Sequence, residues 1–168
     1  MADILMEENG VYCLDCTNAV WAADQMHQAY RNAGLHINDV DFVVESADDL
    51  FLVEYKNASI PGGANPSAFQ PLDNKKVDTA AKKFFDSLHY LALLNKTKPV
   101  KYVYILEYPN GDVVTRKRLR NLLKEKLPFV LQKNIGNGKR LIESVDVVSI
   151  DEWNDNETYG RYPLIKAE

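Results

Sequence analysis

The stretch that decides the fold is DVDFVVESADDLFLVEYKNA, residues 39–58. It contains two apolar runs, residues 41–46 and 50–56, which are rich in Val, Phe and Leu and therefore typical of β-strands. The Ala47-Asp48 pair between them is typical of a tight turn. The stretch therefore predicts an antiparallel hairpin.

The register of this hairpin follows from the length of its turn. With a two-residue turn, Val43 lies opposite Leu52 and Asp41 lies opposite Glu54, with β-carbons about 4.5–5.5 Å apart. Lys56 is two residues beyond Glu54, so both side chains point to the same face of the sheet. The pattern therefore predicts that Asp41, Glu54 and Lys56 converge, although a one-residue change in register would separate them.

Two carboxylates held close together repel each other unless a cation lies between them. Hard oxygen ligands favour magnesium or manganese, and the backbone carbonyl of Tyr55 is a further oxygen ligand within reach. Lys56 would then orient the attacking water or stabilise charge that develops on a phosphate. The alternative is a surface cluster of ion pairs at the strand ends, worth about 0–1 kcal/mol. The spacing alone leaves both interpretations open.

The rest of the chain alternates between strand and helix patterns. Asn9-Gly10 separates two short strands, residues 3–8 and 11–16, and Asn110-Gly111 separates predicted strands at 100–109 and 112–114. A strand is predicted at 144–150, and helices are predicted at 17–34, 76–96 and 115–132. This order predicts an α/β fold with a mixed central sheet flanked by helices. The proline- and glycine-rich segment 58–74 is predicted to be a long loop, of a length that is usually either functional or disordered.

Length and composition set further limits. The 168 residues, 46% of them hydrophobic, predict one α/β domain over residues 1–168, with a core at about 17–107 and an additional helix and strand in 108–150. The formal net charge of -4 excludes a strongly basic coat over the whole surface. No apolar run approaches the ~18 residues that span a membrane, and the N-terminus lacks a signal-peptide pattern. We therefore expect a cytoplasmic protein without a membrane partner.

Cys13 and Cys16 are the only cysteines, in a C-x-x-C arrangement. Such a pair is redox-active or half of a zinc site in some proteins. There is no second cysteine pair, and the three histidines are scattered. Two reduced thiols beside the core are therefore the favoured interpretation.

Asp41, an apolar strand and then Glu54-Tyr55-Lys56 together resemble the signature of the PD-(D/E)xK nuclease superfamily. The resemblance implies a restriction-endonuclease-like fold, with the helix, strands, helix and strand of residues 17–107 as its core. It also implies that Asp41, Glu54 and the Tyr55 carbonyl bind Mg²⁺ or Mn²⁺, and that Lys56 assists the attacking water. Many members carry an acidic residue on the first helix, and Asp24 is the candidate for this further metal ligand.

Two features depart from the family pattern. The proline that often precedes the aspartate is Val40 here, and Asp24 is shorter than the usual helix glutamate. Glu7 and Glu8 are weaker candidates for the helix acid, because their pattern predicts a strand that precedes a turn.

Basic residues on two predicted helices supply a possible contact surface for nucleic acid. The alternative is a solvated helix face. The function expected from the resemblance is hydrolysis of phosphodiester bonds in nucleic acid, with DNA as the expected substrate. The alternative is a catalytically inactive module that binds nucleic acid or protein, and a homodimer or a protein partner is compatible with both. The candidate nucleic-acid-binding residues are Arg116, Lys117 and Arg120 on the third predicted helix and Lys82 and Lys83 on the second.

Overall fold

The computed structural model describes residues 3–61, 65 and 69–168. The strands of this part are β1 (Ile4–Met6), β2 (Tyr12–Asp15), β3 (Trp21–Ala23), β4 (Phe42–Glu45), β5 (Leu50–Asn57), β6 (Val100–Glu107), β7 (Ser144–Val148) and β8 (Leu164–Lys166). The helices are α1 (Met26–Asn32), α2 (Asn74–Leu93), α3 (Val113–Lys126), α4 (Phe129–Ile135) and α5 (Ile150–Asp155). A five-stranded mixed sheet has the order β3-β4-β5-β6-β7, and a three-stranded antiparallel sheet has the order β1-β2-β8. The predicted α/β class, a mixed sheet flanked by helices, is confirmed.

The predicted hairpin forms the centre of the larger sheet. β4 and β5 are antiparallel, and Val43 pairs with Leu52 as the two-residue turn requires. The turn is closed by the Ser46 amide, which donates to the Asp49 carbonyl at 2.9 Å. β5 also pairs in parallel with β6, so the hairpin is enclosed within the sheet. This position explains why both strands are almost continuously apolar rather than alternating.

The two faces of the larger sheet bury two separate cores. Alternation along β5 sends Leu50 and Leu52 to the core beneath α2, and Phe51 and Val53 to the core beneath the smaller sheet and α5. Glu54 continues the first series and therefore points towards α2. The charged end of β5 thus lies where a helix covers the sheet, and α2 can supply partners for it.

The predicted helix at 17–34 is wrong in its first half. Trp21–Ala23 is a strand, β3, whose Ala22 pairs with Val44 of β4, and only Met26–Asn32 is helical. The amide of Val20 also donates to the Glu45 carbonyl at 2.8 Å. Pairing with a distant strand overrides the local helical pattern here. The observed order is therefore strand, helix, two strands, helix, strand, and not the expected order that begins with a helix.

Two boundaries near the third predicted helix also differ. Residues 112–114 form no strand: Asp112 caps α3 by accepting the Thr115 amide at 2.6 Å, and the helix begins at Val113. Pro128 separates α3 from α4, because proline lacks the amide that a continuous helix requires. The predicted strand at 144–150 ends at Val148, because Ser149 and Glu152 form a capping box that starts α5.

Part of the predicted long loop at 58–74 lies outside the described residues, namely 62–64 and 66–68. After this loop, α2 begins behind Asp73, whose carboxylate accepts the Lys75 amide at 3.0 Å. In the part of the chain that the structure describes, no helix is long and apolar enough to cross a membrane.

Candidate active site

The hairpin and α2 bring two carboxylates and a lysine together. Asp41 directly precedes β4, and its Oδ2 accepts the backbone amide of Tyr55 at 2.7 Å. The β4–β5 pairing runs as far as Phe42 and Val53, so its next pair is Asp41 and Glu54, as predicted. Asp41 is therefore fixed to the strand that carries Glu54 and lies on the same face of the sheet.

Glu54 is buried with only one of its two oxygens satisfied. The residue is 7% exposed, and Lys83 Nζ of α2 lies 2.6 Å from its Oε1. Its Oε2 is buried and has no hydrogen-bond partner among the residues that the structure describes. A buried polar atom of this kind costs about 1–3 kcal/mol unless something binds it. Glu54 Oε2 is therefore the atom of this site that most needs a proton or a ligand.

The charges of Asp41, Glu54 and Lys83 shift one another's pKa values. Burial, and then the charge of Asp41, raises the pKa of Glu54 to about 8, although Lys83 and Lys56 act in the opposite direction. Burial also raises the pKa of Asp41, against the opposing effects of Lys83 and the Tyr55 amide. Burial alone would lower the pKa of Lys83, but the charges of Glu54 and Asp41 outweigh it and raise that pKa. Near neutral pH, the site thus pairs a charged Lys83 with a Glu54 carboxyl that is mostly protonated.

A cleft of about 410 Å³ opens onto this group. Glu54 and Lys83 lie in its wall together with Lys56, whose ammonium has no ion pair with another described residue. Tyr104 of β6 also lines the cleft, because it pairs in register with Glu54 and shares its face. The predicted convergence of Lys56 with Glu54 is thus found along one cleft, although Lys83, not Lys56, makes the direct contact.

On the other side of Asp41 there is an acidic cleft of about 400 Å³, lined by Glu8, Asp24, Asp39, Asp41 and Lys83 among others. Asp24 lies here as a candidate ligand, but it occupies the bend between β3 and α1 and is not on a helix. Glu8 lies in the same cleft and was undervalued from sequence, because its hairpin turn reaches the site from the smaller sheet. Across residues 3–61, 65 and 69–168, no group of three or more His, Cys, Asp or Glu side chains is arranged to hold a metal ion.

Glu7 has a structural role instead. It is buried, and its carboxylate accepts the amides of Asn9 at 2.8 Å and Val11 at 2.6 Å. These bonds close the first hairpin, and they leave Glu8 as the turn residue that faces the acidic cleft.

The predicted basic surface on α3 is divided. Arg116 is buried and donates from Nε and Nη2 to Glu152 at 3.0 and 2.8 Å, so its guanidinium is occupied within the chain. Lys117 is exposed, and Arg120 donates to the side chain of Asn121 at 3.1 Å. Arg116 therefore stabilises α3 against α5 and does not belong to an exposed phosphate-binding face.

On α2, the two predicted lysines differ in role. Lys82 points outward and pairs with Asp86 one turn later at 3.0 Å, whereas Lys83 enters the site. The sequence contained a signal for this difference: Lys76, Ala80 and Lys83 follow helical spacing and line the same cleft. The pattern could identify the face, but not the buried carboxylate that the face would meet.

Cys13 and Cys16 are both free and buried, as the reduced-thiol interpretation expects. Burial, followed by the charge of Asp15, raises the pKa of Cys16 to about 12. A thiol with so high a pKa is almost entirely protonated and weakly nucleophilic near neutral pH.

Comparisons of the chain with protein-family models, curated proteins and solved structures found no match. The site geometry and its chemistry are therefore the basis for assigning a function.

Proposed function

We propose that the chain is a metal-dependent nuclease with a restriction-endonuclease-like arrangement of its catalytic residues. The main support is Glu54, a buried carboxylate held beside Asp41 at the end of a central hairpin, with one oxygen that no described residue pairs. The order of elements adds support. The β4–β5 hairpin is followed by α2 and then by β6, which is parallel to β5, as in the core of the PD-(D/E)xK superfamily that the sequence resembles.

The donor set fits Mg²⁺ or Mn²⁺. Magnesium is usually held by one or two carboxylates and completes its shell with water and substrate phosphates. Asp41 and Glu54 would be these carboxylates, with the Tyr55 carbonyl and Asp24 as further oxygen donors. When bound, the ion would supply positive charge against the phosphate oxygens.

The chain's own residues have separate roles in this proposal. The Tyr55 amide fixes Asp41 Oδ2, and Lys83 fixes Glu54 Oε1, so both carboxylates are oriented before substrate arrives. Lys56 Nζ orients the attacking water and stabilises charge on the phosphate. Glu54 holds a proton near neutral pH and must release it before its carboxylate can bind a cation.

The test is cleavage of labelled single- and double-stranded DNA and RNA with Mg²⁺, Mn²⁺ or EDTA. We expect metal-dependent cleavage that Lys56→Ala lowers at least about 10²-fold, the usual effect of removing one group that stabilises transition-state charge. Lys133→Ala is the matched control, because Lys133 is exposed on α4 and does not line the cleft. If no substrate is cut, or if Lys56→Ala cuts as well as the wild type, the chain is not this nuclease. Binding without cleavage would then favour the inactive module.

A further inference from the structure

Glu54 and Lys56, two of the candidate catalytic residues, line one cleft. Glu54 is 7% exposed, and the cleft beside it, at about 410 Å³, has the size of sites that enclose a single small ligand. A phosphodiester must therefore enter the cleft to approach Glu54. A duplex keeps its phosphates on the outside of a stiff cylinder, whereas an unpaired strand can bend into such a cleft.

The cleft carries three lysines that have no acidic partner among the described residues. Lys56, Lys75 and Lys76 line it, and none of them forms an ion pair with another described residue. This contrasts with Lys82 and Lys126, which pair with Asp86 and Asp78. Unpaired ammonium groups around one cleft favour an anion with several charges, such as successive phosphates of one strand.

The same cleft has an aromatic wall. Phe69 and Tyr104 line it, and Phe69 packs against Tyr108 with ring centroids 5.3 Å apart. Lys76 Nζ lies 4.9 Å from the centre of the Phe69 ring, so cation and ring share one wall. Sites that bind single strands combine phosphate-binding cations with aromatic rings, because unpaired bases stack on the rings.

We propose that this cleft binds a single-stranded segment of nucleic acid, with its phosphates on Lys56, Lys75 and Lys76 and a base against the aromatic wall. The proposal deepens the proposed nuclease function by naming its substrate class, and it rests on that function. It also places strand binding on the α2 side of the sheet and not on α3, where Arg116 is occupied by Glu152.

The test is fluorescence anisotropy in EDTA, with a labelled single strand, the same strand in a blunt duplex, and the same strand with abasic positions. We expect the single strand to bind at least about tenfold more tightly than the duplex. We expect the abasic strand to bind at least about fivefold more weakly than the intact strand, because stacking contributes about 1–3 kcal/mol per base. Equal binding of single strand and duplex, equal binding of the abasic strand, or no binding of any probe would overturn the proposal.

A pair of double variants locates the binding surface. Lys75→Met/Lys76→Met removes two cleft charges, and Arg118→Met/Lys124→Met removes two exposed charges from α3 as the matched control. Each phosphate contact to a single strand contributes about 0.7 to the slope of log affinity against log salt. The cleft variant should therefore lower the magnitude of that slope by about 1.4, and the control should leave it unchanged. The reverse result would place binding on α3 and refute the cleft.

Binding in EDTA is independent of cleavage, so the two proposals can fail separately. Single-strand binding without metal-dependent cleavage of any substrate would refute the nuclease and retain the cleft. Cleavage that Lys56→Ala abolishes, with duplex bound as tightly as single strand, would retain the nuclease and refute the substrate class.

Discussion

Replacing Glu54 with Gln should change the dependence of stability on pH. Burial, with the charge of Asp41, raises the pKa of Glu54 from 4.5 to about 8. In the unfolded chain this carboxyl loses its proton near pH 4.5, whereas in the folded chain it keeps the proton up to about pH 8. The contribution of Glu54 to stability is thus fully present below about pH 4.5 and is lost as the pH rises to about 8.

The magnitude follows from the same pKa difference. A difference of about 3.5 between the folded and unfolded pKa values of Glu54, at 1.36 kcal/mol per pKa unit, corresponds to about 5 kcal/mol. The pKa of Lys83 is raised from a value that already lies above this pH range, so Lys83 stays charged throughout. The difference between Glu54→Gln and the wild type therefore reports the proton of Glu54. Gln keeps the oxygen that accepts from Lys83 but has no proton to lose. Glu54→Gln should therefore be several kcal/mol more stable than the wild type at pH 8.

The assay is urea unfolding of both proteins between pH 5 and 8 in EDTA. Glu45→Gln is the matched control, because Glu45 lies on the partner strand and is also 7% exposed. Burial raises the pKa of Glu45, but Lys96 and Lys98 outweigh burial and lower it, so Glu45→Gln should destabilise the protein near neutral pH. If Glu54→Gln is no more stable than the wild type at pH 8, the inference that the Glu54 carboxyl lowers stability at this pH is wrong.

Three further predictions use the same contacts. Lys83→Met should lower metal-dependent cleavage about 10²-fold, because Glu54 would lose the partner that orients it. Lys82→Met should cut at nearly the wild-type rate. Equal rates for the two variants would show that Lys83 has no role in the site. Mg²⁺ should bind more tightly at pH 8 than at pH 6, because Glu54 must lose its proton first, and calorimetry that finds no proton release would contradict this. Arg116→Ala should lower the free energy of unfolding by about 1–3 kcal/mol, because its hydrogen bonds to Glu152 are lost. Single-strand binding should not change. Weaker binding without a loss of stability would show that Arg116 contacts nucleic acid.

The sequence was sufficient to predict the hairpin because its information is local. A two-residue turn between two apolar strands leaves one register, and the pairing of Val43 with Leu52 follows from counting residues. The same counting placed Asp41 beside Glu54. Interactions between residues close in sequence thus defined the centre of the sheet and the candidate carboxylates.

The errors arose where distant residues decide the structure. Residues Trp21–Ala23 have a helical pattern in isolation, but they pair with β4 about twenty residues later and become a strand. Lys83 was expected on a solvated or nucleic-acid-binding face, yet it meets Glu54, which is 29 residues away in sequence. The ends of α3 differ from these cases, because Asp112 and Pro128 are local signals that mark both ends within the sequence itself.

The two buried glutamates of the hairpin give a comparison within one molecule. Glu45 and Glu54 have the same exposed fraction, 7%, on neighbouring strands, but Glu54 lies deeper in the protein, and burial is the largest cause of its raised pKa. Both oxygens of Glu45 are paired, with Lys96 and Lys98 at 2.5 and 3.0 Å, and its pKa is lowered. Among the described residues, Glu54 pairs with one lysine, has a second carboxylate beside it and keeps one oxygen without a partner, and its pKa is raised.

Glu45 therefore shows that this fold can pair both oxygens of a buried glutamate so that the residue stabilises the protein. The buried Glu54 carboxyl, in contrast, lowers stability near neutral pH. It lies in the wall of a cleft whose other lysines, Lys56, Lys75 and Lys76, form no ion pair with a described residue. A buried carboxyl with a strongly shifted pKa in such a cleft is typical of a functional site, because binding of a ligand can offset the stability that it costs. A divalent cation would bind Glu54 Oε2 and offset the repulsion between Glu54 and Asp41. The lysines of the cleft would then bind the phosphates.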